Sequence, residues 1–241
     1  SAASDVYKRQ HLEQYRHATY SATDYYQEAI RRDPTDVRNN NAMGLWLIRK
    51  GQFAKAEPYL RQAVKTLTER NPNPYDGEPL YNLGLSLKYQ GKTEEAYDFF
   101  YKACWNAAWQ DAGYYSLAQL SVARGDWEEA LYEIDKSLVR NWHNLRGRHL
   151  KATILRHLGR KEDALSLIEE SLRMDRFNFG CGFEKFLLTG NDADWQTLVS
   201  LMRPEAHNYE ELALDYASAG CWEEALDVVD KACLLYTSPS P

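Results

Sequence analysis

Apolar side chains recur at helical spacing along most of the chain and are separated by polar ones. In MGLWLIRKG, residues 43–51, and in YNLGLSLKYQG, residues 81–91, apolar residues recur three or four positions apart, as do Leu45 and Ile48 or Leu83 and Leu87, before a glycine. This period predicts helices with one buried face. A glycine suits the left-handed cap that ends a helix, so each helix is expected to stop there. The chain is therefore predicted to be all-α.

The same pattern returns along the sequence with fixed offsets. Each unit has a small residue, a glycine seven positions later and an alanine twelve positions later. The five sets are Gly44, Gly51, Ala56; Gly84, Gly91, Ala96; Ala118, Gly125, Ala130; Ala152, Gly159, Ala164; and Ala213, Gly220, Ala225. A bulky apolar residue follows each alanine by four positions, namely Leu60, Phe100, Ile134, Ile168 and Val229. We expect helix pairs in which the small residue lets the second helix, through its alanine, approach closely.

This pattern resembles the tetratricopeptide repeat, a pair of antiparallel helices of 34 residues. Gly84, Ala118 and Ala152 are 34 residues apart. The resemblance implies a right-handed superhelical solenoid of helix pairs with a concave face. The predicted repeat domain covers residues 11–232. Its units are 11–36 (partial), 37–70, 77–110, 111–144, 145–178, 179–205 (degenerate) and 206–232 (truncated).

Two local expectations accompany the repeat prediction. Pro58 lies inside a predicted second helix, where its ring blocks the hydrogen-bond ladder. That helix is expected to start late or to kink. In the last predicted helix, Leu226 and Val229 have no following repeat to cover them and are expected to be exposed.

The ends of the chain differ from the repeats. DVYKRQ at 5–10 and CLLYTS at 233–238 can be translated from one DNA sequence and its reverse complement. Both resemble the transposase end sequence used in sequencing libraries. We therefore expect residues 1–10 and 233–241 to be adapter-derived and non-native. The remainder is expected to be a fragment of a larger bacterial protein read from metagenomic DNA.

Composition narrows the function classes. The 241 residues carry 29 Lys and Arg against 35 Asp and Glu, a net charge of −6. Without a basic stripe, neither nucleic acid nor an anionic membrane is an expected partner. Cys104, Cys181 and Cys221 are far apart, which favours a reducing, cytoplasmic compartment. No apolar run approaches the roughly 18 residues of a membrane span.

Candidate chemistry is sparse. The paired carboxylates of TEEA at 93–96 and WEEA at 127–130 and 222–225 suggest acid/base catalysis or the start of second helices. Because they follow the repeat, the second interpretation is favoured. His149 and His157 lack further ligands at metal spacing, which favours a surface pair over a metal site. No phosphate loop or nucleophile elbow is present. We expect no cofactor and no enzyme activity in this fragment.

Two sets of residues are candidates for binding. In tetratricopeptide repeats the first helices line the concave groove, so the resemblance implies the lining Asn41, Arg49, Tyr81, Lys88, Tyr89, Tyr115, Gln119, Arg146, His149, Thr153 and Arg156. These groups could bind a peptide carboxylate, stack on sugar rings or stay solvated and unused. The second set is the proline-rich loop inserted between two repeats, Asn71, Pro72, Asn73, Pro74, Tyr75 and Asp76. Trp105 and Trp109 either support this loop or merely pack between repeats.

A looser resemblance concerns HLEQYRHAT at 11–19, NPNPYDGEP at 71–79 and WNAAWQDA at 105–112. These strings are similar to the repeat region of large bacterial proteins of unknown function that carry a mutarotase-like β-sandwich portion. The first hypothesis is a scaffold that binds a protein or peptide, with a missing N-terminal β-rich domain of the same chain as a further candidate partner. The alternative that the resemblance implies is an accessory region of a carbohydrate-active or carbohydrate-binding protein, with a glycan as partner.

Overall fold

The computed structural model describes residues 21–237, so the predictions for residues 1–10 and 238–241 lie outside it. This part of the chain contains α-helices, one short 3-10 turn at Ala107–Trp109 and no strand, which confirms the all-α prediction. The helices are α1 (Ala22–Arg32), α2 (Val37–Arg49), α3 (Phe53–Arg70), α4 (Glu78–Tyr89), α5 (Thr93–Ala103), α6 (Gln110–Ala123), α7 (Trp127–Arg140), α8 (Leu145–His157), α9 (Lys161–Met174), α10 (Phe179–Thr189), α11 (Asp192–Met202), α12 (Ala206–Ser218) and α13 (Trp222–Thr237).

The described helices form two compact units. Unit 1 ends at Trp109 and contains α1 to α5; unit 2 begins at Gln110 and contains α6 to α13. Within each unit, consecutive helices pack as pairs: α2 on α3, α4 on α5, α6 on α7, α8 on α9, α10 on α11 and α12 on α13. The first member of each pair is called its first helix below. No described helix is long and apolar enough to cross a bilayer.

Glycines end the first helices as predicted. Gly51, Gly91, Gly125, Gly159 and Gly220 have φ between 71° and 79°, the left-handed region that an L side chain rarely adopts. The residue after each glycine donates its backbone N–H to a carbonyl of the preceding helix, as Arg160 does to Leu155 at 2.9 Å. Each first helix therefore turns within three residues into its partner.

Replacing Gly159 by alanine is expected to lower the free energy of unfolding by about 1 kcal/mol, because alanine is strained at this φ of 74°. A Cβ at this position would meet no atom within 4 Å, so no clash adds to the loss. Urea denaturation followed by circular dichroism measures it. Gly159→Asn is the control, since asparagine tolerates the left-handed region, and it should lose less. Equal losses in both variants would contradict the assignment of the effect to backbone strain.

The predicted close approach of paired helices is confirmed, with one correction. A Cβ on Gly84 would lie 2.6 Å from the Phe100 ring, and one on Gly44 would lie 2.5 Å from Leu60 Cδ2. The nearest neighbour is thus the bulky residue four positions after the alanine and not the alanine itself. Leu60 and Phe100 are fully buried because the missing side chain of each glycine makes room for them.

Two other local expectations have different outcomes. Of the two alternatives at Pro58, the late start is wrong, because α3 begins at Phe53 and runs through the proline to Arg70, and the kink stays a prediction. Leu226 and Val229 are 62% and 44% exposed, as expected. In contrast, Leu60, Phe100, Ile134 and Ile168, which precede Val229 in the repeat pattern, are fully buried.

Candidate functional site

A cleft of about 290 Å³ lies in unit 1 between α2 and the start of α4. It brings together members of both predicted sets: Asn41 and Arg49 from the groove lining and Asp76 from the inserted loop. Arg38 and Trp46 of α2 also line it and were not predicted. Arg38 and Arg49 are eleven positions apart, which is about three helical turns, and Asn41 is three positions after Arg38, so these residues form a row along one face of α2.

The α2 side of the cleft is cationic. Arg38 and Arg49 are exposed, and within residues 21–237 neither guanidinium has an ion-pair partner. A guanidinium presents its donors in a planar fork that matches a carboxylate. This row can therefore accept anionic groups without first breaking an internal ion pair.

Asn41 is held in a defined orientation between the two arginines. The buried Asn82 of α4 donates its Nδ2 hydrogen to Asn41 Oδ1 at 3.0 Å. With its oxygen engaged, the Asn41 amide directs its remaining capacity, two N–H donors, to a ligand. The α2 row thus combines two cations with one neutral donor.

The opposite edge of the cleft is acidic. Asp76 Oδ1 accepts from the Glu78 backbone N–H at 3.0 Å, so its carboxylate is held beside the first residue of α4. Glu78 and Pro79 complete this edge, in the first turn of α4. A ligand that spans the cleft would meet guanidinium groups on one side and carboxylates on the other.

The inserted loop has one hydrogen bond within it and one to Asn106, and it leaves the Tyr75 ring exposed. Asn71 Oδ1 accepts from the Asn73 backbone N–H at 3.0 Å, and Asn106 Nδ2 donates to the Tyr75 carbonyl. The Tyr75 ring is 94% exposed. Of the two tryptophans, Trp109 packs on Tyr81 with a centroid distance of 5.0 Å, whereas Trp105 is exposed.

The remaining predicted residues of unit 1 do not line this cleft. Tyr81 is half-buried between Phe100 and Trp109. The ring of Tyr89 is half-exposed and stacks on Phe53 at 4.8 Å, with Lys88 Nζ 5.3 Å from its centroid. These side chains therefore belong to contacts of α4 with its own residues, with α3, with α5 and with the 3-10 turn.

In unit 2 the predicted lining is covered by the chain itself. Gln119, His149 and Thr153 are buried, so as the structure stands they offer no surface to a ligand. The covering element is the helix pair α12–α13, whose Asp215 and Glu224 reach Arg146 and Arg156, each at 3.0 Å. Tyr115 lies under Arg146, with 5.5 Å from the guanidinium carbon to the ring centroid, and accepts from Gln119 at 3.2 Å.

Glu184, which is fully buried on α10, is the centre of a polar cluster that sequence reasoning missed. Its carboxylate accepts from Arg156 Nε at 2.6 Å, Thr153 Oγ1 at 2.8 Å and the Tyr216 hydroxyl at 2.7 Å. Burial, together with the negative charge of Glu184, raises the Tyr216 pKa well above its ordinary value. The cluster joins α8, α10 and α12.

Glu224 extends this cluster to α13. It accepts from Arg156 at 3.0 Å and hydrogen-bonds His157 Nε2 at 2.9 Å. Burial opposes its ionisation, but the His157 hydrogen bond and the Arg156 charge prevail and lower its pKa to about 2. Glu223 and Glu224 open α13, as the helix-start interpretation of WEEA predicted, and Glu224 has this additional partner.

The predicted surface pair of histidines is wrong. His149 is buried edge-on against Tyr216, with ring centroids 4.8 Å apart, because α12 covers it. His157 stacks on Trp127 at 4.0 Å. Burial lowers the pKa of His149, so the ring is neutral in the folded chain. Among residues 21–237 no group of three or more His, Cys, Asp or Glu side chains could hold a metal ion.

Stability is expected to fall in two stages on acidification. The pKa of His149 is lowered in the folded chain, so the unfolded chain binds an extra proton as the pH falls below 6.5. The pKa of Glu224 is also lowered, from 4.5 to about 2, so its contribution is lost over that interval. Thermal unfolding between about pH 7.5 and pH 2.5 measures both stages. In His149→Phe the first stage should disappear and the second remain; an unchanged first stage would refute its assignment to His149.

Comparisons with known proteins support the prediction of a helical-repeat fold. Residues 77–104 match the family model of the tetratricopeptide repeat. The fold is similar to a crystal structure of MamA, with a TM-score of 0.58 and 19% identity over 65% of this chain and 88% of MamA. YrrB, described as a TPR protein with an unusual peptide-binding site, has a TM-score of 0.50 and 17% identity over 87% of this chain and 91% of YrrB.

A third similar structure is the APC/C hetero-tetramer Cut9–Hcn1, with a TM-score of 0.53 and 17% identity over 90% of this chain and 43% of the matched chain. At such identities the likeness concerns the fold alone. The chain therefore has the helical-repeat fold of tetratricopeptide-repeat proteins, as its residue pattern predicted.

Proposed function

We propose that this chain is a non-enzymatic scaffold that binds a peptide segment of a partner protein in the cleft of unit 1. The observation that supports this most directly is the row of two exposed guanidinium groups, unpaired within residues 21–237, with an oriented amide between them. Charged side chains on a rigid helix that lack internal partners have no role in holding the fold together, whereas they suit recognition of an external carboxylate.

The chemistry of both edges favours a peptide as the ligand. A peptide offers carboxylates to Arg38 and Arg49, backbone carbonyls to the Asn41 amide, and N–H or cationic groups to Asp76 and Glu78. The half-buried indole of Trp46 adds an apolar surface for one side chain. YrrB, of similar fold, is described as having a peptide-binding site, which agrees with this proposal.

Selection from a random peptide display library tests the proposal. The wild-type chain should enrich acidic peptides, and Arg38→Ala/Arg49→Ala should weaken their binding by about a hundredfold, the loss of two charge-assisted contacts. The matched control is Arg140→Ala/Arg173→Ala, which removes the same charge at exposed arginines of unit 2. Enrichment of peptides without acidic residues, or equal loss in both double variants, would rule out the cleft as the site.

A second candidate function is recognition of a glycan. The observation that favours it is the pair of exposed rings Tyr75 and Tyr89, since aromatic faces stack on sugars. A glycan array probed with the wild-type chain and with Tyr75→Ala/Tyr89→Ala decides between the candidates. Sugar binding that the tyrosine variant abolishes would favour the glycan; retained peptide binding in that variant would favour the first proposal.

The other sequence-based expectations stay predictions. They are the adapter origin of both ends, a bacterial parent protein with a mutarotase-like portion, and a cytoplasmic location.

The described part of the last segment, Cys233–Thr237, continues α13. Cys104, Cys181 and Cys221 are buried and form no disulfide, and burial raises the pKa of Cys181 and Cys221 to about 12.

A further inference from the structure

The helix pair α12–α13 occupies the first-helix face of unit 2 in the way that a bound ligand would. Its three polar anchors are Asp215, Tyr216 and Glu224, which bind Arg146, Glu184 and Arg156. On this face α8 supplies the cations, and the covering pair supplies the acids. The contact therefore joins an acidic, tyrosine-bearing segment to a basic helix, and apolar residues of the pair such as Leu212 and Val228 share one hydrophobic core with Phe183.

Not every polar group buried around the covering pair forms a hydrogen bond. Within residues 21–237, two buried side-chain atoms have no hydrogen-bond partner, His149 Nε2 and the Tyr209 hydroxyl. Tyr209 is on α12, and His149 is under Tyr216 of the same helix. An unpaired buried polar atom destabilises the state in which it is buried. Departure of the pair would return His149 Nε2 to water, whereas Tyr209 also packs on Tyr236 of α13, which leaves with it.

The connection that leads into the covering pair is strained. Arg203 has φ 56° and ψ −179°, a region that glycine occupies almost exclusively, and Pro204 follows it. Arg203 is the only non-glycine residue with positive φ in the described part of the chain. Strain between α11 and α12 is relieved if this segment can rotate, so the same movement removes a backbone strain and the unpaired buried atom of His149.

We propose that α12–α13 is a displaceable internal occupant of this face, and that the external partner which replaces it is an acidic peptide carrying a tyrosine. The carboxylates of this peptide take the places of Asp215 and Glu224 on Arg146 and Arg156. Its tyrosine hydroxyl donates to Glu184 of α10. Glu184 keeps its hydrogen bonds with Thr153 and Arg156 of α8. The covering pair leaves as a unit, because α12 and α13 pack on each other, with Arg203 and Pro204 as the hinge.

The test uses the full chain and a labelled synthetic peptide with the sequence of residues 204–229, in which Cys221 is replaced by serine. The protein variant Asp215→Asn/Glu224→Gln weakens the internal competitor and should bind the peptide about tenfold or more tightly than the wild type does. A peptide with Tyr216→Phe should bind this variant about tenfold less tightly, because Glu184 loses its donor. Equal binding by variant and wild type, or no binding by either, would overturn the proposal.

Hydrogen exchange of the unmodified chain provides a measurement that does not depend on any variant. If the cover is displaceable, amides of α12 should exchange through an opening that leaves α8 protected, with at least tenfold lower protection in α12. Matching protection in α12 and α8 would show that the pair separates only on global unfolding, and would also overturn the proposal. The cleft of unit 1 takes no part in either experiment, so the two proposals fail independently.

Discussion

Replacing Glu184 by alanine is expected to lower the free energy of unfolding by about 3 kcal/mol, because it leaves a buried guanidinium short of its main counter-charge. The carboxylate is fully buried and accepts hydrogen bonds from Arg156, Thr153 and Tyr216. After the substitution Arg156 keeps only Glu224 as an ion-pair partner, and the Thr153 and Tyr216 hydroxyls lose their acceptor. Urea denaturation followed by circular dichroism measures the loss.

Glu169→Ala is the matched control for this experiment. Glu169 also forms an ion pair, with Lys185 at 2.9 Å, but its side chain is about half exposed. Exposed pairs contribute little, so this variant should lose less than about 1 kcal/mol. Similar losses in the two variants would mean that the buried cluster is not a principal support of unit 2.

The second large effect is expected at Gly84. In Gly84→Ala the new Cβ would lie 2.6 Å from the Phe100 ring, which is fully buried and cannot move into solvent. Overpacking of this kind lowers the free energy of unfolding by about 1–3 kcal/mol, more than alanine gains in helix propensity. Thermal or urea denaturation gives the value.

The chain itself suggests the compensating change. Where the repeat has alanine at the position of Gly84, at Ala118 and Ala152, the residue equivalent to Phe100 is isoleucine, at Ile134 and Ile168. Gly84→Ala/Phe100→Ile should therefore be more stable than the sum of its single variants predicts. Additive losses would indicate that the helices do not meet through this pair of side chains.

Local periodicity explains why most of the fold could be predicted. Helix ends at Gly51, Gly91 and Gly125 follow from a residue type that tolerates positive φ, and this requirement is visible in the sequence. Pro58 shows the limit of local rules. The helix α3 continues through this proline, although helix propensity alone predicts a helix end at that position.

The covered face of unit 2 could not be predicted because it depends on long-range packing. Residues 206–232 carry the same repeat pattern as the earlier units, and nothing in their spacing shows that they lie across α8. One signal was present. Glu184 is the only carboxylate in the apolar segment FGCGFEKFLL, residues 179–188, and a charge in such a segment requires buried partners.

The cleft of unit 1 was predicted in part. Asn41, Arg49 and Asp76 were named, but the sequence could not show that the loop and α2 meet. Arg38 could have been found from its position three residues before Asn41 on the same helical face. In contrast, the orientation of Asn41 by Asn82 depends on the packing of α2 against α4, and the spacing of residues in the sequence does not predict this packing.

The central claim, that a peptide binds in the cleft of unit 1, is tested most directly by hydrogen exchange of the full chain with and without the acidic peptide that display enriches most. We expect slower exchange on binding in the first turn of α4, whose amides follow Asp76. When the exchange is followed by NMR, the amide resonances along α2 should also broaden or shift. Both changes should vanish in Arg38→Ala/Arg49→Ala and persist in Arg140→Ala/Arg173→Ala. A footprint confined to other helices, or one that the cleft variant leaves intact, would contradict the account.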